Sequence, residues 1–278
     1  DFVAGAMENT TLSVFNEGLM CNHEDIADKN FEEDAIIAHE LVHQWFGDLV
    51  TCESWSQLTL NESFATYGEY LWIENWKGKD DAAVQWYNKY QTYLREFTYK
   101  KVDPIVQNYY ETPKELFDGH RYSKGAIVLH LLRKYIGDEA FFDGIQIYLQ
   151  QNAFQSAEVT HLKLAFEKIT GQDLNWFFNQ WYYNPGHPIV DLKYRYDSIH
   201  KEIILDIYQK QDQHPNAQMP YHKILLDVDL IYSDTIIHQK IIINNKQESI
   251  LLHSENPPLT VNFDPGKMQV WEANIAYQ

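Results

Sequence analysis

The sequence predicts an α+β protein in two parts, a mainly helical part over residues 1–186 and a β-sandwich over residues 187–278. Up to residue 184, apolar side chains recur mostly at helical spacing, and the segment is rich in aromatic residues. After Asn184-Pro185-Gly186-His187-Pro188 that spacing gives way to two-residue alternation, as in Leu226-Asp227-Val228-Asp229-Leu230. A turn rich in proline and glycine between two periodicities indicates a domain boundary.

Composition and charge exclude several classes of protein. A formal charge of −18 argues against nucleic acid and anionic membrane surfaces as partners, because both require clustered Lys and Arg. With 45% apolar residues and no apolar run near the ~20 residues of a membrane span, we expect a soluble chain. The first residues contain no targeting signal, so the compartment stays open between cytoplasmic and periplasmic or secreted. Cys21 and Cys52 do not form a disulfide framework, and ordinary packing is expected for both.

The first twenty residues mix small and β-branched side chains, which favours an extended segment such as an edge strand. Glu8 lies in this segment, within Gly5-Ala6-Met7-Glu8-Asn9. From its position alone, Glu8 is interpreted as a solvated acid.

A first helix is predicted with Asn30 as N-cap and an end near Gly47. It carries the pattern His-Glu-x-x-His at residues 39–43. Because residues four apart lie on one helix face, His39 and His43 can present two imidazoles to a single metal ion. Glu40 then lies beside that metal, where a carboxylate can take a proton from a zinc-bound water.

The metal interpretation depends on a third ligand, because such histidine pairs also occur by chance on surface helices. Glu62 follows His43 by nineteen positions and opens a second predicted helix, from about Leu60 to Trp76. Two histidines, one glutamate and an open fourth position form a standard site for a single catalytic Zn2+. The sequence therefore predicts His39, His43 and Glu62 as zinc ligands.

Two residues of the second helix are candidates for the outer hydrogen-bond partner of a metal-binding histidine. Thr66 and Glu69 lie four and seven residues beyond Glu62 and therefore share its face. Metal-bound histidines usually donate their second N–H to such an acceptor. Glu69 is the preferred candidate.

Tyr122 is a candidate active-site residue in the helical part. It lies in a loop bounded by Gly119 and Gly125 that leads into an apolar helix over residues 126–136. A phenol at the entrance of a helix can donate a hydrogen bond to a developing oxyanion. Spacing alone does not distinguish it from the other tyrosines of the chain.

The predicted sandwich contains no metal-like cluster. Its histidines are scattered among strand and turn residues, and we expect structural or surface roles for them; they are His214, His222, His238 and His253.

Taken together, these residues resemble the aminopeptidase N-type zinc exopeptidases. The resemblance spans the chain and rests on four motifs: Gly5-Ala6-Met7-Glu8-Asn9, His39-Glu40-x-x-His43 followed by Glu62, Gln44-Trp45-Phe46-Gly47-Asp48, and Tyr122-Ser123-Lys124-Gly125. It implies a partial thermolysin-like catalytic domain followed by a β-sandwich. It also implies peptides with a free N-terminal amine as substrates.

The resemblance further implies a role for each motif residue. His39, His43 and Glu62 would bind zinc, Glu40 would be the general base, and Tyr122 would stabilise the oxyanion. Glu8 would anchor the α-amine of the substrate, with Gly5, Ala6, Met7 and Asn9 forming the binding strand around it. This reverses the interpretation of Glu8 as a solvated acid.

The sequence also departs from the family pattern. Ser54-Trp55-Ser56-Gln57 stands where the family often has Trp-Trp-Asp-Asp, a change that does not touch the ligand Glu62. Family members carry an N-terminal β-domain and further catalytic strands upstream, and usually a helical domain after the sandwich. The resemblance therefore suggests a fragment of a longer parent enzyme that would complete the amine site.

Two other functions stay open at this point. A thermolysin-like endopeptidase shares the metal ligands but needs no amine anchor. A non-catalytic fragment acting as a binding module would keep the fold without the chemistry.

Overall fold

The computed structural model describes residues 5–19, 33–214 and 219–277. The predicted N-cap Asn30 and Cys21 lie outside these residues. The described chain opens with an antiparallel hairpin of β1 (Ala6–Met7) and β2 (Val14–Phe15), in which Ala6 pairs with Phe15. The extended segment expected here is thus confirmed.

The helical part consists of helices joined by short turns. In the described ranges the α-helices are α1 (Glu33–Val42), α2 (Thr59–Trp76), α3 (Lys79–Tyr99), α4 (Gly125–Ile136), α5 (Asp138–Asn152), α6 (Val159–Thr170) and α7 (Asn175–Phe178). Shorter helical turns cover Glu17–Leu19, Trp55–Gln57, Pro113–Leu116, His120–Lys124 and Asn179–Tyr183.

Helix α1 ends earlier than the sequence suggested. Its last regular residue is Val42, and the chain tightens over the next four residues, where the N–H of Trp45 donates to the carbonyl of Val42 at 3.0 Å. Gly47 follows with a φ of 146°, a conformation that other residues rarely adopt. The prediction that the helix stops at Gly47 was therefore too long by one turn, because a tightened turn precedes the glycine.

Helix α2 lies at the centre of the helical part, and its bounds confirm the predicted second helix to within one residue. Every residue from Thr59 to Tyr70 is buried, including the polar ones. Strand β3 (Val50–Cys52) leads the chain back from α1 and pairs in parallel with β4 (Gln155–Ala157). Buried aromatic rings, among them Trp86, Tyr93 and Phe166, fill the core around α2.

The C-terminal strands form two sheets around a second core. The strands are β5 (Ile189–Asp197), β6 (Glu202–Gln209), β7 (Ile224–Ile231), β8 (Ile236–Ile243), β9 (Gln247–His253), β10 (Thr260–Phe263) and β11 (Glu272–Tyr277). One sheet has the order β10-β7-β8 and the other β11-β5-β6-β9. A short helical turn, Gln211–Gln213, follows β6.

Alternation along the strands decides which side chains enter this second core. On β7, Leu226, Val228 and Leu230 are buried, whereas the intervening aspartates are only partly buried. Side chains from both sheets contribute to the same cluster, so the strands form a sandwich, and the α+β class is confirmed.

The turn at residues 184–188 joins the two parts. Gly186 has a φ of 79°, and a Cβ at this position would meet the side chain of Met219, so glycine is required there. Met219 itself packs with the helical core. The domain boundary after residue 186 stays a prediction. Among the described helices, none has the length and apolar character to cross a bilayer.

Candidate metal centre

Helices α1 and α2 bring three potential metal ligands together. One donor atom each from His39, His43 and Glu62 lies within 4.8 Å of the others. The Nε2 atoms of His39 and His43 are 3.3 and 3.4 Å from Oε2 of Glu62. Two imidazole nitrogens and one carboxylate oxygen are a donor set that suits Zn2+. The residues present therefore fit the expected ion.

The charges of these groups are strongly coupled. Burial alone would lower the pKa of His39, but pairing with Glu62 and Glu69 outweighs it and raises the pKa to about 9. Burial alone would raise the pKa of Glu62, yet the two histidines lower it to about 2. The carboxylate of Glu62 is thus held as a buried anion. A cation placed between the three side chains would stabilise the same charge.

Each histidine has an outer partner for its other ring nitrogen. Nδ1 of His39 donates to Oε1 of Glu69 at 2.9 Å, and Nδ1 of His43 donates to the carbonyl oxygen of Phe46 at 2.9 Å. With both Nδ1 atoms engaged in these bonds, the Nε2 atoms of both rings face Glu62, and they are the nitrogens that would bind a metal after losing their protons. Thr66, the other predicted partner, is buried, and its hydroxyl makes no hydrogen bond within the described residues.

Sequence reasoning missed two parts of this arrangement. The carbonyl of Phe46 comes from the tightened turn after α1, which the helical pattern does not reveal. Lys89 on α3 pairs with Oε2 of Glu69 at 2.7 Å and so holds the carboxylate behind His39. No sequence signal singles out Lys89, because it depends on how α3 packs against α2.

Glu40 lies beside the ligand cluster. Its carboxylate is buried, and Oε2 accepts no hydrogen bond from any described residue. Burial raises the pKa of Glu40, while the neighbouring histidines His39 and His43 act in the opposite direction. An oxygen that is free of protein donors and close to the ligands is available to take and return a proton.

Glu8 is brought to the same place by the N-terminal hairpin. Single ligand atoms of Glu8, Glu40 and His43 lie within 4.8 Å of one another. Gly5, Ala6 and Met7, which were predicted to belong to the binding strand, line the cleft. Asn9 differs: it is exposed and does not line the cleft, and its carbonyl accepts the N–H of Leu12 at 2.8 Å to close a turn.

Tyr122 lines the same cleft and contacts the ligand His39. Its ring stacks on that of His39 with 6.0 Å between centroids and 6° between planes. Burial and the negative charge of Glu62 raise the pKa of the phenol, so the hydroxyl keeps its proton and can act as a donor. The prediction of a loop here was wrong. Tyr122 lies on a π-helical turn, His120–Lys124, that continues into α4.

The π-helical turn has a physical cause in Asp118. One oxygen of its carboxylate accepts the N–H groups of His120 and Arg121 at 2.9 and 3.1 Å, which caps the start of the turn. The hydroxyl of Ser63 on α2 donates to the carbonyl of Arg121 at 2.5 Å. The turn is therefore fixed to the helix that carries Glu62, which keeps Tyr122 in register with the ligands.

The ligands open onto a cavity of about 790 Å³. Besides the residues already named, its wall includes Cys52, Trp55, Tyr110 and Phe117, and the rings of Trp55 and Phe117 lie 5.7 Å apart. Cys52 thus borders the cleft in addition to packing on the core. The aromatic wall was not predicted, since Trp55, Tyr110 and Phe117 come from separate segments of the chain.

A family model supplies the identity that the geometry suggests. The model described as the peptidase family M1 domain matches residues 1–181, more than half of the chain. The chain belongs to peptidase family M1. The M1 match ends at the helical part and leaves the sandwich strands outside it.

Curated proteins named as aminopeptidases are similar to much of this chain. A probable aminopeptidase 1 from Sulfurisphaera tokodaii is 30% identical over 275 residues, 95% of this chain and 32% of the relative. Glutamyl aminopeptidase from Rattus norvegicus is 34% identical over 229 residues, 78% of this chain and 24% of the relative. The M1 chain therefore spans about a third of the length of these proteins or less.

A solved structure confirms the fold. Aminopeptidase A from Legionella pneumophila, in complex with aspartic acid, superposes with a TM-score of 0.79 at 19% identity. The superposition covers 100% of this chain and 31% of that chain. The helical part and the sandwich together thus share the fold of about a third of that chain.

Proposed function

We propose that this chain forms the zinc centre of an M1 aminopeptidase, which removes N-terminal residues from peptides. The observation that carries the proposal is the position of Glu8. Its carboxylate lies within 4.8 Å of Glu40 and His43, at the side of the ligand cluster where the end of a peptide would lie. An anion fixed about one residue from the metal ligands suits an ammonium group. The names of the M1 relatives support the same activity.

His39, His43 and Glu62 would hold the zinc ion, whose chemistry when bound is to lower the pKa of a water molecule and polarise a carbonyl. The chain's own residues supply proton transfer. Glu40 takes the proton from the attacking water and delivers it to the leaving amine, because one of its oxygens is free of other donors. Tyr122 donates its phenolic hydrogen to the oxygen that becomes negative in the transition state.

The hairpin positions the substrate. Strand β1 pairs with β2 along one edge in the described residues, and its other edge can pair with a peptide. The backbone of Gly5 and Ala6 would make these bonds, and the carboxylate of Glu8 would end the track by binding the α-ammonium. A peptide with a blocked amine would bring an uncharged cap against the partly buried carboxylate of Glu8.

The two other functions lack a comparable observation. An endopeptidase needs an open track on both sides of the ligands, and the carboxylate of Glu8 would then face an uncharged peptide backbone. A binding module has no need of a free carboxylate oxygen on Glu40 beside three convergent ligands. The M1 aminopeptidase accounts for both features.

The test compares an aminoacyl amide that has a free amine with its N-acetylated twin, using the purified full-length protein. We expect one equivalent of zinc and cleavage of the free-amine amide only. Cleavage of the acetylated twin at a similar rate would replace the exopeptidase with an endopeptidase. A protein that binds no zinc would exclude both peptidase functions, and the binding module would be the remaining one.

A further inference from the structure

The side chain of Gln44 joins the hairpin to helix α1 by two hydrogen bonds. Its Nε2 donates to the carbonyl oxygen of Glu8 at 3.2 Å, and its Oε1 accepts the N–H of Thr11 at 2.9 Å. Gln44 is the residue directly after His43. We propose that Gln44 is a positioning residue that sets the distance between the amine anchor Glu8 and the metal ligands, an inference that rests on the proposed aminopeptidase function.

The hairpin needs such a support. Its two strands are only two residues long, and Glu8 comes directly after β1, in the loop between them. Thr11 within that loop has a φ of 62°, which is unfavourable for a β-branched residue. A short and strained loop does not by itself hold a carboxylate at a fixed place. The two bonds from Gln44 lie at either end of the segment 8–11 and restrain it.

The support is rigid on its own side. The N–H of Gln44 donates to the carbonyl of Leu41 at 3.2 Å, and its carbonyl accepts the N–H of Leu49 at 3.2 Å. These backbone bonds belong to the same turn that orients His43. Any displacement of the loop relative to Gln44 would therefore be a displacement of Glu8 relative to a metal ligand.

The chemistry of the two bonds requires an amide. Glutamine offers one donor and one acceptor at the end of a single side chain, and the loop presents one carbonyl and one N–H to it. A glutamate at residue 44 would keep the bond to Thr11 but place a second acceptor against the carbonyl of Glu8. A leucine would have similar size and make neither bond.

The experiment measures the amine preference of Gln44→Leu and Gln44→Glu in the full-length protein. Two inhibitors are used: an amino-acid hydroxamate with a free α-amine, and acetohydroxamate, which chelates metal but has no amine. Losing the two neutral hydrogen bonds should weaken binding of the amino-acid hydroxamate by about 10-fold or more. Zinc content and acetohydroxamate binding should be unchanged. For a free-amine substrate, KM should rise more than kcat falls.

Gln180 provides a matched control elsewhere in the chain. Its Nε2 donates to the carbonyl of Lys223 at 3.0 Å and its Oε1 accepts the N–H of the same residue at 2.7 Å. Gln180→Leu thus removes two bonds of the same kind between residues that do not line the cleft. It should leave the preference for the amine-bearing inhibitor unchanged.

A double-substitution cycle with Glu8→Ala tests whether Gln44 acts through Glu8. If it does, adding Gln44→Leu to Glu8→Ala should not weaken the amino-acid hydroxamate any further. Amide hydrogen exchange gives a readout that does not depend on activity. Exchange at Thr11 should be faster by about 10-fold in Gln44→Leu and unchanged in Gln180→Leu.

Each result separates the inference from the function on which it rests. Equal weakening of both inhibitors by Gln44→Leu, or an effect that adds to that of Glu8→Ala, would overturn the positioning role. Loss of the amine preference in Glu8→Ala without any loss in the Gln44 variants would overturn the inference alone. If the wild-type protein binds both hydroxamates equally, or binds no zinc, the proposed aminopeptidase function is wrong and the inference that rests on it is wrong too.

Discussion

Glu69 accepts the Nδ1–H of His39 at 2.9 Å while its second oxygen pairs with Lys89 at 2.7 Å. The carboxylate of Glu69 is thereby held by both of its oxygens, and its hydrogen bond restrains the ring of His39. An outer partner of this kind orients a metal ligand and makes it more basic. The pKa of Glu69 is lowered, because Lys89 and His39 outweigh the burial that would raise it.

Glu69→Ala should therefore weaken zinc binding by about 10- to 100-fold. The measurement is competition between the metal-free protein and a chromophoric chelator. Thr66→Val is the control on the same helix, because it removes a buried hydroxyl that has no hydrogen-bond partner in the described structure. Equal zinc affinity in both variants would show that Glu69 does not support His39.

Glu40→Gln should keep zinc and lose essentially all turnover. The amide preserves the shape of the side chain but cannot take a proton at neutral pH. Zinc content is measured by elemental analysis and hydrolysis with a free-amine aminoacyl amide. Substantial hydrolysis with the metal in place would mean that another group is the base.

Tyr122→Phe should lower kcat by about 10²- to 10³-fold with a smaller effect on KM. The hydroxyl acts mainly on charge that appears in the transition state, whereas the ring would still stack on His39. Steady-state kinetics on one substrate suffice. A change confined to KM would place Tyr122 in substrate binding rather than in the chemical step.

Glu8→Ala should reduce kcat/KM for a free-amine substrate by about 10- to 10³-fold, since the ammonium would lose its charged partner. Zinc content should stay the same. Asn9→Ala is the neighbouring control, because that side chain is exposed and does not line the cleft. If Glu8→Ala and Asn9→Ala have the same kcat/KM, Glu8 is not the anchor.

Buried His222 should make the fold sensitive to acid. Its Nδ1 donates to the carbonyl of Pro220 at 3.0 Å, its ring is fully buried, and burial lowers its pKa from 6.5 to about 3. Between these values the unfolded chain binds a proton that the folded chain does not. Stability therefore falls as the pH drops below 6.5, by roughly 2 kcal/mol at pH 5 for this group alone.

His222→Gln isolates this contribution, because the amide can still donate to Pro220 but does not titrate. Urea unfolding at pH 7 and pH 5 should show a smaller loss of stability in the variant, by roughly 2 kcal/mol. Equal losses in the two proteins would mean that His222 is not held neutral in the folded state.

The sequence by itself determined the features that depend on short-range periodicity. His39 and His43 share a helix face because of their spacing, and the alternation through Leu226, Val228 and Leu230 places those side chains in the sandwich core. The bounds of α2 followed from its apolar pattern to within one residue. Such features depend on the spacing of neighbouring residues, so the local sequence is enough to predict them.

The tertiary structure alone decided which of several equivalent side chains meet. Thr66 and Glu69 share a face of α2, yet only Glu69 contacts His39, because the packing of α1 and α3 places the ring and Lys89 at its level. The π-helical turn under Tyr122 depends on hydrogen bonds to Asp118 and Ser63. Gln44 reaches Glu8 across 36 positions of sequence. Contacts of this kind arise from the relative placement of whole elements, which no local pattern specifies.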